Sequence, residues 1–390
     1  MKIVHIANFY GPNSGGIKTT LHELGKGYQK YGHEFTYIVP GTRLYFEETI
    51  YGKKITVPSY ILPGSGGYQI IKRSKTVIKI LKALEPDRIE VSDRLTLNKV
   101  GKFAKANGIP SVVFSHETLQ GLAKRFLPLP GFIRNKLVNW HNKRLTSTFD
   151  QVITTTAFAA REFIEIKTPN LVRVPLGVDL VNFNPSKRSE ALRNELLKGS
   201  KYLLVHVGRL SPEKEPQRSI ETLIELRNRG FDARLVVIGT GPMWDKIRDL
   251  CLGYPVDTLG YIADRNRVSA ILACADISLA PGPLETFCLA ALESLASATP
   301  VIASHSSAVG EILLSDPLNP AGAVASDDCI SFANAVESLC EQHSASQRAR
   351  QVAEQLPWDS CVLRMLEVHG IPVVGHSTPH ANINRHLKAS

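Results

Sequence analysis

Tyr202-Leu203-Leu204-Val205-His206-Val207-Gly208-Arg209-Leu210-Ser211-Pro212-Glu213-Lys214 is an apolar strand run that ends in a glycine and a turn bearing two cations. The run matters because a strand-helix rhythm starts there for the second time. The first series reads as strands at Ile3–Ala7, Phe35–Val39, Arg88–Val91, Ser111–Phe114 and Gln151–Thr154, with a helix at Ile17–Tyr31 and helical periodicity between the others. The second reads as strands at Tyr202–Val207, Arg234–Ile238, Asp257–Leu259, Ile277–Ala280 and Val301–Ala303. Strands alternating with helices predict parallel sheets covered on both faces. The charged stretch 181–200 between the series reads as a linker. The chain is therefore expected to be α/β, with two doubly wound parallel-sheet domains, 1–180 and 201–369, facing across a cleft. Its last helices are expected to cross back to the first domain, and the polar tail 370–390 to lack structure.

Composition narrows the class. The 390 residues are 43% hydrophobic and 21% charged, which argues against a disordered or fibrous chain. No window approaches 18 uncharged apolar residues, the minimum for a spanning helix. Met1–Ile6 lacks the apolar core and cleavage site of a signal peptide. The six cysteines all lie at or beyond position 251 without a C-x-x-C pair, so reduced thiols in a cytoplasmic protein are expected. Charge is uneven. Residues 1–185 hold 26 Lys+Arg against 13 Asp+Glu, and the remainder 20 against 23. A basic half suits a nucleic acid, an anionic membrane or a phosphorylated substrate. Aromatics at 7% disfavour the stacking surface of a nucleic-acid binder, so no nucleic-acid partner is expected.

Ligands of open α/β sheets bind at loops beyond the carboxyl ends of strands. Four loops qualify here. Asn8–Ile17 places Gly15 and Gly16 before a helix, where backbone N–H groups are approachable, but its spacing is not G-x-G-x-x-G. Arg209 and Lys214 suit a diphosphate. In Pro281–Leu289, the N–H groups of Phe287, Cys288 and Leu289 open a helix, with Glu285 before it and Glu293 inside it. Those carboxylates suit vicinal sugar hydroxyls. His116 ends the strand Val112–Phe114 and is a candidate hydrogen-bonding or proton-carrying group.

Gly-Arg-Leu-Ser-Pro-Glu-Lys after a strand, combined with Glu285-x7-Glu293, resembles the retaining glycosyltransferases of family 4. These have the GT-B architecture of two Rossmann-like domains. The resemblance extends over Gly15-Gly16, Pro175–Asp179, Gly239–Pro242 and Leu259–Tyr261. Glu90–Leu97 and Thr154–Phe158 look more narrowly like bacterial GDP-mannose-dependent α-mannosyltransferases of the MgtA type, which act on glucuronosyl-diacylglycerol or related lipids. The resemblance implies that Gly15, Gly16, Arg209 and Lys214 meet the donor diphosphate, with Phe287, Cys288 and Leu289. Glu285 would hold the transferred sugar, Glu293 the ribose, and Tyr261 and Ile262 the base. His116 would hydrogen-bond the donor sugar near the reaction centre. It also implies front-face transfer with retention and no cofactor. No Asp-x-Asp triplet occurs in the sequence, in keeping with a metal-independent scheme.

Similar UDP-sugar-dependent enzymes that transfer sulfoquinovose or glucose to lipids are the alternative, followed by an inactive donor-binding relative. A sugar-nucleotide epimerase of the same fold leaves the Arg209, Lys214, Glu285 and Glu293 set unexplained. Three positions depart from the family pattern: Cys288 stands for the usual glycine, Ser297–Pro300 for Cys-Gly-Thr-Pro, and Thr240 for an aspartate. The acceptor is expected to be lipid-linked, phosphatidylinositol type included, and the enzyme peripheral at the inner face of the membrane. Ile70–Leu84 reads as a basic amphipathic helix with Lys72, Arg73, Lys75, Lys79 and Lys82 outward. A loop at Leu122–Phe132 adds Lys124 and Arg125 as membrane contacts.

Overall fold

The structure is a computed structural model that describes residues 1–11, 15–62, 67–342 and 344–372. The first domain contains β1 (Lys2–Ala7), α1 (Gly16–Lys30), β2 (Glu34–Gly41), β3 (Tyr45–Thr49), β4 (Gly52–Ile61), β5 (Gln69–Ile71) and α2 (Ser74–Leu84). It continues with β6 (Arg88–Ser92), α3 (Asn98–Ala106), β7 (Ser111–Ser115), α4 (Leu119–Phe126), α5 (Gly131–Thr148), β8 (Gln151–Thr154), α6 (Ala157–Ile164) and β9 (Leu171–Arg173). The second contains α7 (Glu190–Leu197), β10 (Tyr202–Val207), α8 (Pro216–Asn228), β11 (Ala233–Ile238), α9 (Trp244–Leu250), β12 (Val256–Gly260) and α10 (Arg265–Cys274). It ends with β13 (Ile277–Ala280), α11 (Leu289–Ala296), β14 (Val301–Ser304), α12 (Val309–Leu313), β15 (Gly322–Ala325), α13 (Cys329–Cys340), α14 (Ala345–Glu354) and α15 (Trp358–Val368).

The first sheet runs β3-β4-β2-β1-β6-β7-β8-β9, with β3 and β5 each antiparallel to β4. The second runs β12-β11-β10-β13-β14-β15, all parallel. Counted within its own domain, the second order is 3-2-1-4-5-6. Both sheets reverse direction of growth beside their first strand, between β1 and β6 and between β10 and β13. A crevice opens at such a switch point. The central strands β1, β6, β7, β10 and β13 are buried on both faces, as parallel sheets require.

The two domains are tied at the back. α15 returns from the second domain and lies on α1, where a Cβ on Gly27 would fall 2.3 Å from Val362 Cγ2. Only a glycine permits that approach. Asp359 accepts from Lys30 Nζ at 2.6 Å and Tyr31 Oη at 3.0 Å, and the core on the α1 side of the first sheet runs on through Trp358, Val362 and Met365.

Several sequence readings change. The stretch 181–200 holds a 3-10 turn and α7, whose Leu196 and Leu197 are buried and whose Arg193 bonds the Cys274 carbonyl and Asp276. It is thus a packed helix on the second domain where a linker was expected; Glu190 and Glu195 face solvent, while Leu196 and Leu197 do not. α2 begins at Ser74, because Ile70 and Ile71 pair with β4 as a strand, so Lys72 and Arg73 precede the helix. The loop expected at Leu122–Phe132 is the end of α4, a short turn and the start of α5. The tail from residue 373 onward, the loop residues 12–14 and the side chain of Arg125 lie outside the described residues.

The basic half has a structural address. α2, α3 and α5 pack side by side over one face of the first sheet, burying Val77, Leu81, Val100, Ala104 and Leu145 in one core. Their outer faces carry exposed Lys75, Lys79, Lys82, Lys99, Lys102, Lys105, Lys136, Lys143 and Arg144. α5 also exposes Phe132, Leu137 and Trp140, and the preceding turn exposes Leu127 and Leu129.

Candidate active site

The loops that leave β10 and β13 flank the switch point of the second sheet. Lys214 ends a 3-10 turn after β10, and its ammonium forms an ion pair with Glu285 from the loop after β13. Burial disfavours the Lys214 charge, but Glu285 and the neighbouring Cys288 raise its pKa on balance, so the ammonium keeps its proton at neutral pH. Arg209 lies over the Tyr68 ring with its guanidinium carbon 4.0 Å from the centroid, which draws it from the second domain against the first. The Gly239-Thr240-Gly241 turn packs under that loop. Leu210 N–H donates to the Thr240 carbonyl at 3.1 Å, and a Cβ on Gly241 would sit 2.4 Å from the Leu210 carbonyl.

α11 points its amino end into the same space. Its cap, Cys288, has φ 66°, in the left-handed region where glycine is favoured. Ala298, after α11, has φ 61°. These are two of the positions that depart from the family pattern, and both departures put a side chain on backbone that suits glycine. Burial, then Glu285, push the Cys288 thiol up to about 12. Glu293 sits one turn into α11 with its carboxylate 2.7 Å from Arg265. Burial raises its pKa, with Arg265 opposing. Tyr261 and Ile262 follow β12, the edge strand two places from β10, with Tyr261 exposed and Ile262 packed on the core.

The first domain closes over this space. Gly16 opens α1 so near α11 that a Cβ on it would lie 3.9 Å from Leu289 Cδ1. The amino ends of the two helices therefore meet across the cleft, and both favour negative charge. His116, beyond β7, is held from both sides. Its carbonyl accepts from Thr286 Oγ1 of the second domain, and its Nε2 lies 2.8 Å from Ser92 Oγ. Burial, with His5 nearby, lowers its pKa to about 3, so it is neutral in the ordinary pH range. The structure thus gathers His116, Gly16, Arg209, Lys214, Glu285, Cys288 and Leu289 around one space. Phe287 is buried in the core beneath it.

Sequence reasoning missed the seam that aligns these groups. Thr155 and Thr156 hydroxyls donate to the Thr286 carbonyl at 3.1 and 2.9 Å, and Glu311 accepts the first backbone N–H groups of α6. It also missed Tyr68 and Arg265. The Glu90–Leu97 segment proves to be a polar hub. Asp93 accepts from Asn8 and from the Leu95 and Thr96 N–H groups, while Arg94, buried, bonds Glu162, Asn142 and Ser115. Polar residues inside apolar strand runs were the available signal.

Comparison with known proteins agrees with this fold. Residues 14–182 match the model of Glycosyltransferase Family 4, and residues 201–342 that of Glycosyl transferases group 1. The chain is 41% identical over 377 residues to a GDP-mannose-dependent alpha-(1-6)-phosphatidylinositol dimannoside mannosyltransferase of Mycobacterium tuberculosis, covering 96% of this chain and 97% of that one. It is 26% identical to a GDP-mannose-dependent alpha-mannosyltransferase of Mycolicibacterium smegmatis, over 78% of this chain and 79% of the other. Sucrose-phosphate synthase from Thermosynechococcus elongatus has the same fold, with a TM-score of 0.74 at 20% identity over 95% of this chain and 98% of that one.

Proposed function

This chain belongs to the family-4 glycosyltransferases of GT-B architecture, and from that premise we propose that it moves mannose from GDP-mannose onto a phosphatidylinositol-type glycolipid with retention of configuration. The observation that carries the reading is the Lys214–Glu285 pair, set where the amino ends of α1 and α11 meet and opposite His116. A diphosphate there takes its charge from Lys214, Arg209 and the two helix ends, without a metal ion. Glu285 is then placed to accept the sugar hydroxyls beside the bond that breaks, and Glu293 to share its charge between Arg265 and the ribose. As the bond to the leaving phosphate opens, Lys214 stabilises the charge that develops on it. The departing phosphate oxygen takes the proton of the attacking hydroxyl on the same face, so no separate base is required.

The lipid acceptor is supported by the first domain's outer layer. Among the described residues no helix is long and apolar enough to cross a membrane. The basic faces of α2, α3 and α5, with Phe132 and Trp140 exposed on α5, suit the surface of an anionic leaflet. The enzyme on this reading works as a peripheral protein at the cytoplasmic face.

Thermal unfolding with GDP, UDP and ADP tests the donor. A ligand at 100 times its dissociation constant adds roughly 2.7 kcal/mol to stability. The largest shift is expected with GDP. A clear preference for UDP would transfer the reading to a UDP-sugar-dependent glycolipid enzyme.

A further inference from the structure

His116 is the outer end of a buried chain of polar groups. Its Nε2 lies 2.8 Å from Ser92 Oγ, which lies 2.8 Å from His5 Nε2, and His5 Nδ1 lies 2.6 Å from Glu90 Oε2. The other Glu90 oxygen accepts from Tyr28 Oη at 2.6 Å and from His369 Nε2 at 2.7 Å. Strand register builds the chain. His5 is directly opposite Glu90 in the parallel β1/β6 pair, and Ser92 lies two residues on, along the same face. Phe114 lies between the two imidazoles and stacks on both, with centroids 5.4 Å from His5 and 5.6 Å from His116. His5, Glu90 and Ser92 are at most 1% exposed, so water does not compete for these bonds.

The protons of such a chain can be counted. Burial pushes the Glu90 pKa up, but His5 and His369 pull it well below the usual carboxylate range. The carboxylate is therefore an acceptor only, and His5 Nδ1–H must donate to it. With one proton on its ring, His5 presents a bare Nε2, so Ser92 must donate to His5. The Ser92 oxygen is then free to accept from His116 Nε2–H. His116 Nδ1 makes no hydrogen bond among the described residues.

We infer that Glu90, His5 and Ser92 are positioning residues that fix His116 as its Nε2–H tautomer, leaving Nδ1 to accept a hydrogen bond from a hydroxyl of the donor sugar. The inference rests on the donor reading above for the identity of that hydroxyl. The direction of the bond matters chemically. An O–H···N bond raises electron density on the sugar oxygen and favours a cation-like transition state, whereas an N–H···O bond withdraws it. Tyr28 on α1 and His369, just after α15, hold the far oxygen of Glu90 and so fix the inner end of the chain. His369 thus links the chain to the segment that ties the two domains.

The test uses the full chain with 15N-labelled histidine, His116 being assigned by its loss in His116→Gln, together with steady-state kinetics on GDP-mannose. The parent is expected to show the Nε2–H tautomer at His116. Ser92→Ala is expected to lose the tautomer preference, with kcat about tenfold lower or more and KM within about twofold. Ser92→Thr keeps the hydroxyl and should recover most of kcat. Glu90→Gln, whose amide can donate to His5, should turn His116 toward the other tautomer. An Nδ1–H tautomer in the parent, or a Ser92→Ala protein with the parent's tautomer and rate, would overturn the relay. Lack of transfer by the parent would overturn the donor reading alone, because the tautomer is read without substrate.

Discussion

On the second-domain side of the cleft, Lys214, Glu285 and Cys288 come from two loops that leave neighbouring strands at the switch point. On the first-domain side, His116 is held by Ser92, His5 and Glu90, which sit inside strands β6 and β1 and meet only through register. The loop-built side is an ion pair beside a helix end, and its members reach a ligand directly. The strand-built side is a chain, in which each member acts through the next. The first kind of site is altered by changing one charge. The second is altered by changing a hydroxyl or a proton at a distance from the ligand.

Lys214→Ala breaks the charged side and should have the largest effect. It removes a charge-assisted contact worth on the order of 1.5–3 kcal/mol, so turnover should fall roughly ten- to hundredfold with the fold intact. Arg209→Ala should behave similarly, with some loss of contact to Tyr68 on the first domain. Transfer at the parent rate by either variant, measured as GDP released with acceptor present, would place the diphosphate elsewhere.

The outer faces of the domains extend the contrast, since the first is strongly basic and the second is not. Changing Lys72, Lys75, Lys79 and Lys82 to Gln should weaken co-sedimentation with anionic vesicles, each charge contributing roughly 1 kcal/mol near the surface. High salt should release the parent, as the attraction decays over about 10 Å at 0.1 M. Trp140→Ala should weaken binding further without changing the salt response, because its ring is apolar contact rather than charge. Equal binding to neutral vesicles would contradict an electrostatic docking face.

Cys288→Gly is the smallest change and sharpens the loop side. Relief of a left-handed non-glycine residue gains roughly 1 kcal/mol, and the added freedom of glycine in the unfolded chain returns roughly half of that or more. The melting temperature should therefore rise by no more than a few degrees, with donor affinity equal or higher. A marked loss of either would mean that the thiol makes a contact the backbone argument omits.

What could be read from the sequence divides along the same line. Arg209, Lys214 and Glu285 could be singled out as candidates because they lie in short contiguous loops beside strands whose apolar runs are unmistakable. The doubly wound fold class was legible for the same reason. His5, Ser92 and His369 were not, because their significance depends on which residues face each other between β1 and β6 and on where α15 returns. α7 was hidden by its glutamates, which are on its outer face, and the true start of α2 by Ile70 and Ile71, which fit a helical stripe as well as they fit a strand. The glycine-like backbone of Cys288 and Ala298 has no signal in a single sequence.

The central claim is tested most directly by mixing the chain with GDP-mannose and anionic vesicles that carry a phosphatidylinositol mannoside, and analysing the lipid product. The account expects one mannose added in α-linkage, with GDP released in equal amount, and no comparable transfer from UDP-glucose. Efficient transfer from a UDP-sugar in place of GDP-mannose, or a β-linked product, would contradict it.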